Sequence, residues 1–344
     1  MKFNVAGLML CTFLVGCGGT APFGEDATGD DVADPEIIES NREVPPGTTQ
    51  PEAGATIFRK EPLSEEGNGF AESVSYNADD DTFFVDNLPF DGSDDTPYIR
   101  GRAVGSLGPY AVYEAVDQYP DTDTGARINQ FTHRAIYGVS RSGQTEFAIV
   151  RSGAYVNYGF GGFVYERNGS VNLPTTGQAL YNGKGAGLRD YTGRGGLEYS
   201  TSDVQIAVDF GDFNEQTGQY EGAVDGFVFN RRIFDTTGTE ITQDILSRIN
   251  AGNNSSLQAV PNIVFRIGPN ALDPNGEIVG TLGSRFANNS DQAVTFEEGN
   301  YYGIISGDNA EEIVGIIVAE STVDPSADGV RDTIGFTIYR EANQ

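Results

Sequence analysis

Residues 299–320, GNYYGIISGDNAEEIVGIIVAE, decide the fold. The stretch holds two apolar runs, 301–305 and 313–318, on either side of the polar segment 306–312. β-Branched and aromatic residues in short runs bounded by Gly, Asp and Asn favour strands. Because the runs have similar lengths and the connection is short, we predict two adjacent antiparallel strands joined by a tight turn.

Individual residues of this hairpin carry further predictions. Gly303 and Gly315 lower helix propensity and suit a curved sheet in which another backbone passes close. Asp308 and Asn309 tolerate the left-handed conformations that a tight turn needs. Glu312 begins the second strand, and we expect it to accept hydrogen bonds from the loop backbone and so fix the turn.

The rest of the body is also typical of strands. Apolar and polar residues alternate at 204–210, 263–267 and 333–339, and turn residues bound each segment. Many short strands, abundant glycine and little helix indicate an all-β chain whose C-terminal part closes into an antiparallel barrel of about eight strands. The alternation places five side chains inside this barrel: Val204, Ile206, Phe265, Ile334 and Phe336.

One short helix is predicted after residue 240. Ile241, Ile245 and Ile249 recur at four-residue spacing, which indicates an amphipathic helix packed on the sheet. Thr242 is placed to cap this helix, and Gly252 is placed to end it.

The N-terminus has the pattern of a lipoprotein signal peptide. Lys2 precedes an apolar stretch at 5–15, which ends in the lipobox Leu14-Val15-Gly16-Cys17. Lipidation of Cys17 would anchor the mature chain in a membrane. Gly18 follows, without the Asp that signals inner-membrane retention, so we predict the outer membrane and leave its face open.

The composition divides the chain into four predicted regions. Residues 1–16 form the signal peptide, and 17–55 form a disordered acidic tether rich in Gly, Asp, Glu, Pro and Thr. Residues 56–167 form a smaller β-rich domain, and 168–344 form the barrel domain. Apart from Cys17, the mature chain has no cysteine, so its core must stabilise it without a disulfide.

The charge argues against two classes of partner. The formal net charge is −29 and the isoelectric point is about 4.1, which argues against nucleic acid and against docking on anionic lipid. High acidity suits solubility outside the cytoplasm and favours cationic partners.

Three motifs carry a resemblance to a known family. The pattern Gly299-x-Tyr301-Tyr302-Gly303, followed by Ala310-x-Glu312-x-x-Gly315, resembles the closing motif of the transferrin-binding protein B barrel. The barrel of factor H-binding protein is similar. Residues 173–183 resemble the opening strand of that barrel, and 204–210 resemble its alternating strand ending in Asp-Phe.

The resemblance implies capture of a host protein or a solute, as in iron, haem or nutrient uptake. Two departures limit it: the mature chain offers one barrel where transferrin-binding protein B has two lobes, and it has no Trp. No partner-binding residue matches, so none is assigned from the resemblance.

Enzyme chemistry finds little support in the residues. His133 is the only histidine, and 138–143 does not give the strained Gly-x-Ser-x-Gly turn of a hydrolase. We expect His133 on a strand face, hydrogen-bonded or solvated. The acidic residues beside strands, Glu146, Glu198, Asp209 and Asp212, keep open a glycan hydrolase that uses paired carboxylates.

Metal and haem sites are further candidates. Two acidic turns space oxygen atoms as calcium requires: Asp121 with Asp123, and Asp324 with Asp328 and Asp332. Haem would need His133, Tyr301 or Tyr302 as its axial ligand.

We therefore predict a non-catalytic, lipid-anchored outer-membrane protein that binds a protein or small solute and needs no cofactor. The alternatives are a structural envelope lipoprotein and an extracytoplasmic glycan hydrolase. A wide exposed aromatic or apolar patch would favour the binding protein, whereas a concave carboxylate pair would favour the hydrolase.

Overall fold

The computed structural model describes residues 44–46, 53–64, 68–93, 96–120, 123–154, 160–211, 213–214, 219–220, 223–266 and 271–341. Contacts divide the chain into Met1–Glu36 and Ile37–Gln344, and every described residue belongs to the second unit. The predicted signal peptide, Cys17, Asp121 and most of the predicted tether therefore lie outside the described residues.

The first half of the described chain forms eleven short strands. They are β1 (Ile57–Lys60), β2 (Val74–Asn77), β3 (Thr82–Val85), β4 (Tyr98–Arg100), β5 (Ser106–Leu107), β6 (Tyr110–Glu114), β7 (Gln118–Pro120), β8 (Arg127–Asn129), β9 (His133–Val139), β10 (Thr145–Ser152) and β11 (Gly161–Arg167).

The second half contains longer strands and one helix. They are β12 (Gln178–Thr192), β13 (Leu197–Asp209), β14 (Phe213–Asn214), β15 (Gln219–Tyr220), β16 (Ala223–Phe234), α1 (Thr242–Asn253), β17 (Ile263–Phe265), β18 (Glu277–Ala287), β19 (Ala293–Ser306), β20 (Glu312–Ser321) and β21 (Gly329–Arg340).

A nine-stranded antiparallel sheet, here called the first sheet, precedes the barrel. Its order is β1-β11-β10-β9-β6-β4-β3-β2, with β5 paired to β6. Strand β10 is almost wholly buried because both of its faces are covered. Phe147 and Ile149 point into a core shared with the barrel, while Ala148 and Val150 point into a second core with Phe83.

Strands β12, β13 and β16 to β21 close into an eight-stranded antiparallel barrel, in which β12 pairs with β21. This confirms the predicted all-β fold with a C-terminal barrel. All five side chains predicted to lie inside are buried in one apolar core, and the set is Val204, Ile206, Phe265, Ile334 and Phe336. Closure removes the unpaired strand edges that invite aggregation.

The predicted hairpin is present as β19 and β20, with Gly303 directly opposite Gly315. A Cβ at Gly315 would overlap both the carbonyl oxygen of Tyr302 and the ring of Phe336, so the predicted close approach is confirmed. In the turn, however, Gly307 and Ala310 adopt the left-handed conformation, with φ of 100° and 54°. Asp308 and Asn309, which tolerate this conformation, do not adopt it.

Helix α1 buries Ile245, Leu246 and Ile249 against side chains of the barrel strands, as the spacing predicts. Its caps differ from the prediction. The N-cap is Ile241 without a side-chain hydrogen bond, because the Thr242 hydroxyl accepts a bond from the backbone N–H of Ile233 at 2.9 Å. The helix continues through Gly252 and ends before Asn254, which adopts φ of 50°.

The first sheet is fastened to the outer wall of the barrel by packing. The shared core combines side chains of the first sheet with outward-facing side chains of the barrel, including Leu188, Tyr199 and Ile316. Phe147 lies directly on Gly335, where a Cβ would overlap its ring. Because the two sheets share this core, they form one compact unit, and the predicted boundary at residues 167 and 168 remains a proposal.

Buried ion pairs cross the same interface. Arg59 of β1 donates from Nε and Nη2 to the two carboxylate oxygens of Glu277 in β18, each at 2.8 Å. Glu61 accepts from Arg151 of the first sheet at 2.8 Å and also from Arg331 of the barrel. Such pairs hold two surfaces in one register, since displacement would leave buried charges without partners.

Candidate functional site

Four phenylalanine rings meet at one margin of the first sheet, and we call them the aromatic cluster. They are Phe70 before β2, Phe90 after β3, Phe131 before β9 and Phe160 before β11. Ring centroids are 4.9 Å apart for Phe90 and Phe131, 5.4 Å for Phe70 and Phe160, and 6.0 Å for Phe131 and Phe160. These separations are those of favourable aromatic contacts.

Phe90 is the most exposed member of the cluster, at 53%. It also adopts φ of 63°, which is a genuine outlier for a bulky side chain. The backbone N–H of Phe131 donates to the carbonyl of Phe90 at 2.9 Å and holds this conformation. Backbone strain of this kind is concentrated at ligand contacts and switch regions. We therefore take Phe90 as the main candidate for ligand contact on this surface.

The margin around the cluster is acidic. Glu72 and Asp86 are both exposed, and the N–H of Glu72 donates to the carbonyl of Asp86 at 3.2 Å. The Asn87 amide donates to the carbonyl of Phe70 at 3.0 Å, which places this acidic segment beside the rings. An apolar centre with a charged rim is the usual anatomy of a protein-binding surface.

His133 lies beneath the cluster and is not solvated. Its ring is fully buried, Nδ1 lies 3.3 Å from the carbonyl oxygen of Phe131, and Nε2 has no partner among the described residues. Burial lowers the pKa of His133 to about 4, so the ring is neutral at physiological pH. A ring with no exposed surface cannot reach a substrate from solution as a general base in this conformation.

The motif tyrosines and glycines are packing residues in this structure. Tyr301 points into the barrel, where its ring stacks on Phe265 with centroids 3.9 Å apart. Tyr302 points outward, with its ring centroid 6.1 Å from that of Phe163 in the first sheet. Gly303 and Gly315 allow β19 and β20 to approach each other. These roles leave no open coordination position for haem at either tyrosine.

Glu312 joins the barrel to the first sheet rather than fixing its own turn. Its Oε1 accepts hydrogen bonds from Ser142 at 2.7 Å and from Thr145 at 3.1 Å, both in or beside β10. The neighbouring Glu311 performs the role predicted for Glu312, because its carboxylate accepts from the N–H of Asn309 at 3.0 Å.

The calcium candidates do not converge among the described residues. Asp332 is buried between Arg231 at 3.4 Å and Arg189 at 3.7 Å, so its charge is already compensated. Asp324 binds Arg248, whereas Asp328 and Asp123 are exposed on separate turns. Within the described ranges, no group of three or more His, Cys, Asp or Glu side chains could hold a metal ion.

A close carboxylate pair does occur, on the outer face of the first sheet. Glu146 and Glu166 lie directly opposite each other on β10 and β11 and are hydrogen-bonded. Burial, followed by the bond to Glu146, raises the pKa of Glu166 to about 7. Two carboxyl groups in mutual hydrogen bond lie closer than the separation of about 5 Å that retaining glycosidases use. This pair therefore does not match the predicted hydrolase geometry.

Sequence reasoning did not identify the aromatic cluster. The four rings come from segments up to ninety residues apart, since Phe70 and Phe160 are neighbours only through strand order. No periodic pattern links such positions. Among the described residues, no helix is long and apolar enough to span a membrane.

Comparison with known proteins gives matches only among solved structures, since no family model and no curated protein matches the chain. Transferrin-binding protein B of Haemophilus parasuis, as a double mutant, is 13% identical with a TM-score of 0.37 over 68% of this chain and 38% of that chain. An intact two-lobed transferrin-binding protein B is also 13% identical, with a TM-score of 0.37, and the match covers 83% of this chain and 46% of that chain.

The N-lobe of lactoferrin-binding protein B from Moraxella bovis is 12% identical, with a TM-score of 0.20 over 67% of this chain and 98% of that chain. The chain spans less than half the length of the transferrin-binding proteins it matches.

Proposed function

We propose that this chain is a lipid-anchored binding protein of the bacterial outer membrane, which captures a protein or solute without catalysis and serves iron, haem or nutrient uptake. The aromatic cluster is the binding surface in this proposal. The observation that carries it is Phe90, a half-exposed aromatic side chain held at φ of 63° among three other rings.

Physical reasoning supports a protein as the partner at this surface. Exposed aromatic side chains dominate binding energy at protein interfaces because they bury large areas with few rotatable bonds. The exposed carboxylates Glu72 and Asp86 border the rings, and the whole chain carries −29. The partner would therefore present an apolar patch bordered by basic side chains, which the acidic field also attracts during encounter.

The scaffold suits a binding role. A shared core and buried ion pairs hold the first sheet on the closed barrel. A rigid support lowers the entropy lost when the surface binds a partner. The lipobox at 14–17 supports the anchor, and the missing Asp at position 18 supports the outer membrane as its location.

The direct test is affinity capture from culture medium and envelope extract with the full chain and two variants. Phe90→Asn removes the ring but keeps a residue that tolerates φ of 63°. We expect it to retain stability and lose at least about tenfold of the affinity for the captured partner. Ile128→Asn is the matched control, because Ile128 is 47% exposed on β8 and lies outside the cluster.

If both variants capture the partner as the unmodified chain does, the aromatic cluster is not the binding surface. If Ile128→Asn and Phe90→Asn weaken capture equally, general apolar adhesion explains the result and specific recognition by the aromatic cluster is refuted.

A further inference from the structure

A groove runs between the first sheet and the barrel, and we call it the junction groove. None of its lining residues belongs to the aromatic cluster. Residues 103–108 of the first sheet form one wall, and β12, β13 and β16 form the other. Its volume is about 640 Å³. Sites for small organic ligands commonly have volumes of about 300–1,000 Å³ and lie where two structural units meet.

The floor of the junction groove is apolar and preformed. Val104 and Leu107 come from the first sheet, and Phe234 comes from β16. All three belong to or pack against the core that joins the two sheets, so they are fixed in place. Such a floor would accept an aromatic ring or a short acyl chain.

A β-bulge shapes the barrel side of the groove. The register between β13 and β16 shifts between Thr201 and Asp203, and Asn230 opposite adopts φ of 52°. Bulges re-aim side chains, and they are common beside binding sites. Here the bulge brings the Asn230 amide to the Asp203 carboxylate, to whose Oδ2 it donates at 2.7 Å.

The polar side chains of the groove favour an anion. Asp203 accepts from Lys184 at one oxygen and from Asn230 at the other, so both oxygens are already occupied. Lys184 has only this bond among the described residues, and Arg232 has only its bond to Glu240 and its contact with the Phe234 ring. Both cations are more than half exposed and keep N–H groups for a ligand.

The lining therefore holds two cations and one carboxylate, because the carboxylate that pairs with Arg232, Glu240, is not among the lining residues. The whole chain has 50 acidic and 21 basic residues. We infer that the junction groove binds a small amphipathic organic anion, whose apolar body lies on Val104, Leu107 and Phe234 and whose anionic group binds Lys184 and Arg232. This site is separate from the aromatic cluster and does not depend on the proposed partner there.

Fluorescence titration of the full chain with anilinonaphthalene sulfonate tests this inference, with neutral phenylnaphthylamine as the uncharged analogue and decanoate as an acyl competitor. The double variant Lys184→Gln and Arg232→Gln should bind the sulfonate about tenfold or more weakly and the neutral analogue unchanged, because two charge-assisted bonds are lost. Asp203→Asn should bind the sulfonate more tightly. Displacement by decanoate would identify acyl anions as the source, and its absence would identify aromatic anions.

Arg266→Gln is the matched control, since Arg266 is 41% exposed and paired with Glu298 outside the groove. It should leave sulfonate binding unchanged. Equal sulfonate affinity in the double variant and the unmodified chain would overturn the inference, and so would an equal loss in the control. Loss of sulfonate binding in Phe90→Asn alone would place the probe on the aromatic cluster, which overturns the groove site while leaving the proposed function intact.

Discussion

Acidification should destabilise this protein through one buried side chain, His133. Its ring has no exposed surface, and Nε2 has no hydrogen-bond partner among the described residues. Burial therefore lowers its pKa from 6.5 to about 4. Below the pKa of His133 in the unfolded chain, the unfolded state binds a proton that the folded state does not bind. The free energy of unfolding therefore decreases as the pH falls.

The size of the effect follows from the two pKa values. For 6.5 in the unfolded chain and about 4 in the folded chain, linkage gives a loss of about 2.5 kcal/mol between about pH 7.5 and about pH 4.5. Most of this loss falls below pH 6.5, where the unfolded histidine becomes charged. That is a large share of the stability of a typical domain.

The assay is denaturant unfolding across this pH range for the unmodified chain and for His133→Asn. Asn keeps a side-chain donor for the carbonyl of Phe131 but does not titrate. The difference between the two free-energy curves should fall by about 2.5 kcal/mol on acidification, since the carboxylates are common to both proteins. Parallel curves would refute the reasoning, and so would an NMR titration of this single histidine with a midpoint near 6.5.

Four further predictions concern the barrel, its interface and the anchor. Gly315→Val should lower the melting temperature far more than Glu312→Gln, because Val overlaps backbone and ring whereas Gln still accepts from Ser142 and Thr145; the reverse order in thermal melts would refute the close-packing argument. Glu61→Gln should cost about 3–5 kcal/mol in denaturant unfolding, since buried Arg151 and partly buried Arg331 both lose the carboxylate that accepts their hydrogen bonds, and a loss below about 1 kcal/mol would contradict the ion-pair assignment. Glu166→Gln should flatten the profile of stability against pH between pH 4.5 and about 7. In the unmodified chain the raised pKa of Glu166 stabilises the folded state below pH 4.5, and this contribution is lost as the pH rises through about 7. Partial exposure of Glu166 limits the contribution to about 1 kcal/mol, and an unchanged profile would argue against the hydrogen bond between Glu146 and Glu166. Cys17→Ser should give an unprocessed precursor that incorporates no radiolabelled fatty acid, and label in the variant would disprove the lipobox.

Local patterns alone were enough to predict much of the fold. The two apolar runs of 301–318 pair as predicted because strand formation and a short turn are both local properties. The alternation at Val204 and Ile206 correctly identified the inward face, since a strand has a side-chain period of two. The four-residue spacing of isoleucines located α1, because residues four positions apart lie on the same face of a helix.

Other features depended on partners that are distant in the chain. Glu312 binds hydroxyl groups 167 and 170 residues away, so its own neighbours could not reveal its role. Gly307 and Ala310, rather than Asp308 and Asn309, take the left-handed positions, because the register of two long strands determines where the turn must bend.

The proposed binding surfaces belong entirely to the tertiary structure. The order of strands in the first sheet brings Phe70, Phe90, Phe131 and Phe160 together, and the packing of that sheet on the barrel forms the junction groove. The sequence by itself determined the strands, the barrel core and the predicted anchor, because each follows from residues within a few positions of one another. Which side chains meet at a surface was decided only when closure of the barrel and sharing of its outer wall set the distances between segments far apart in the chain.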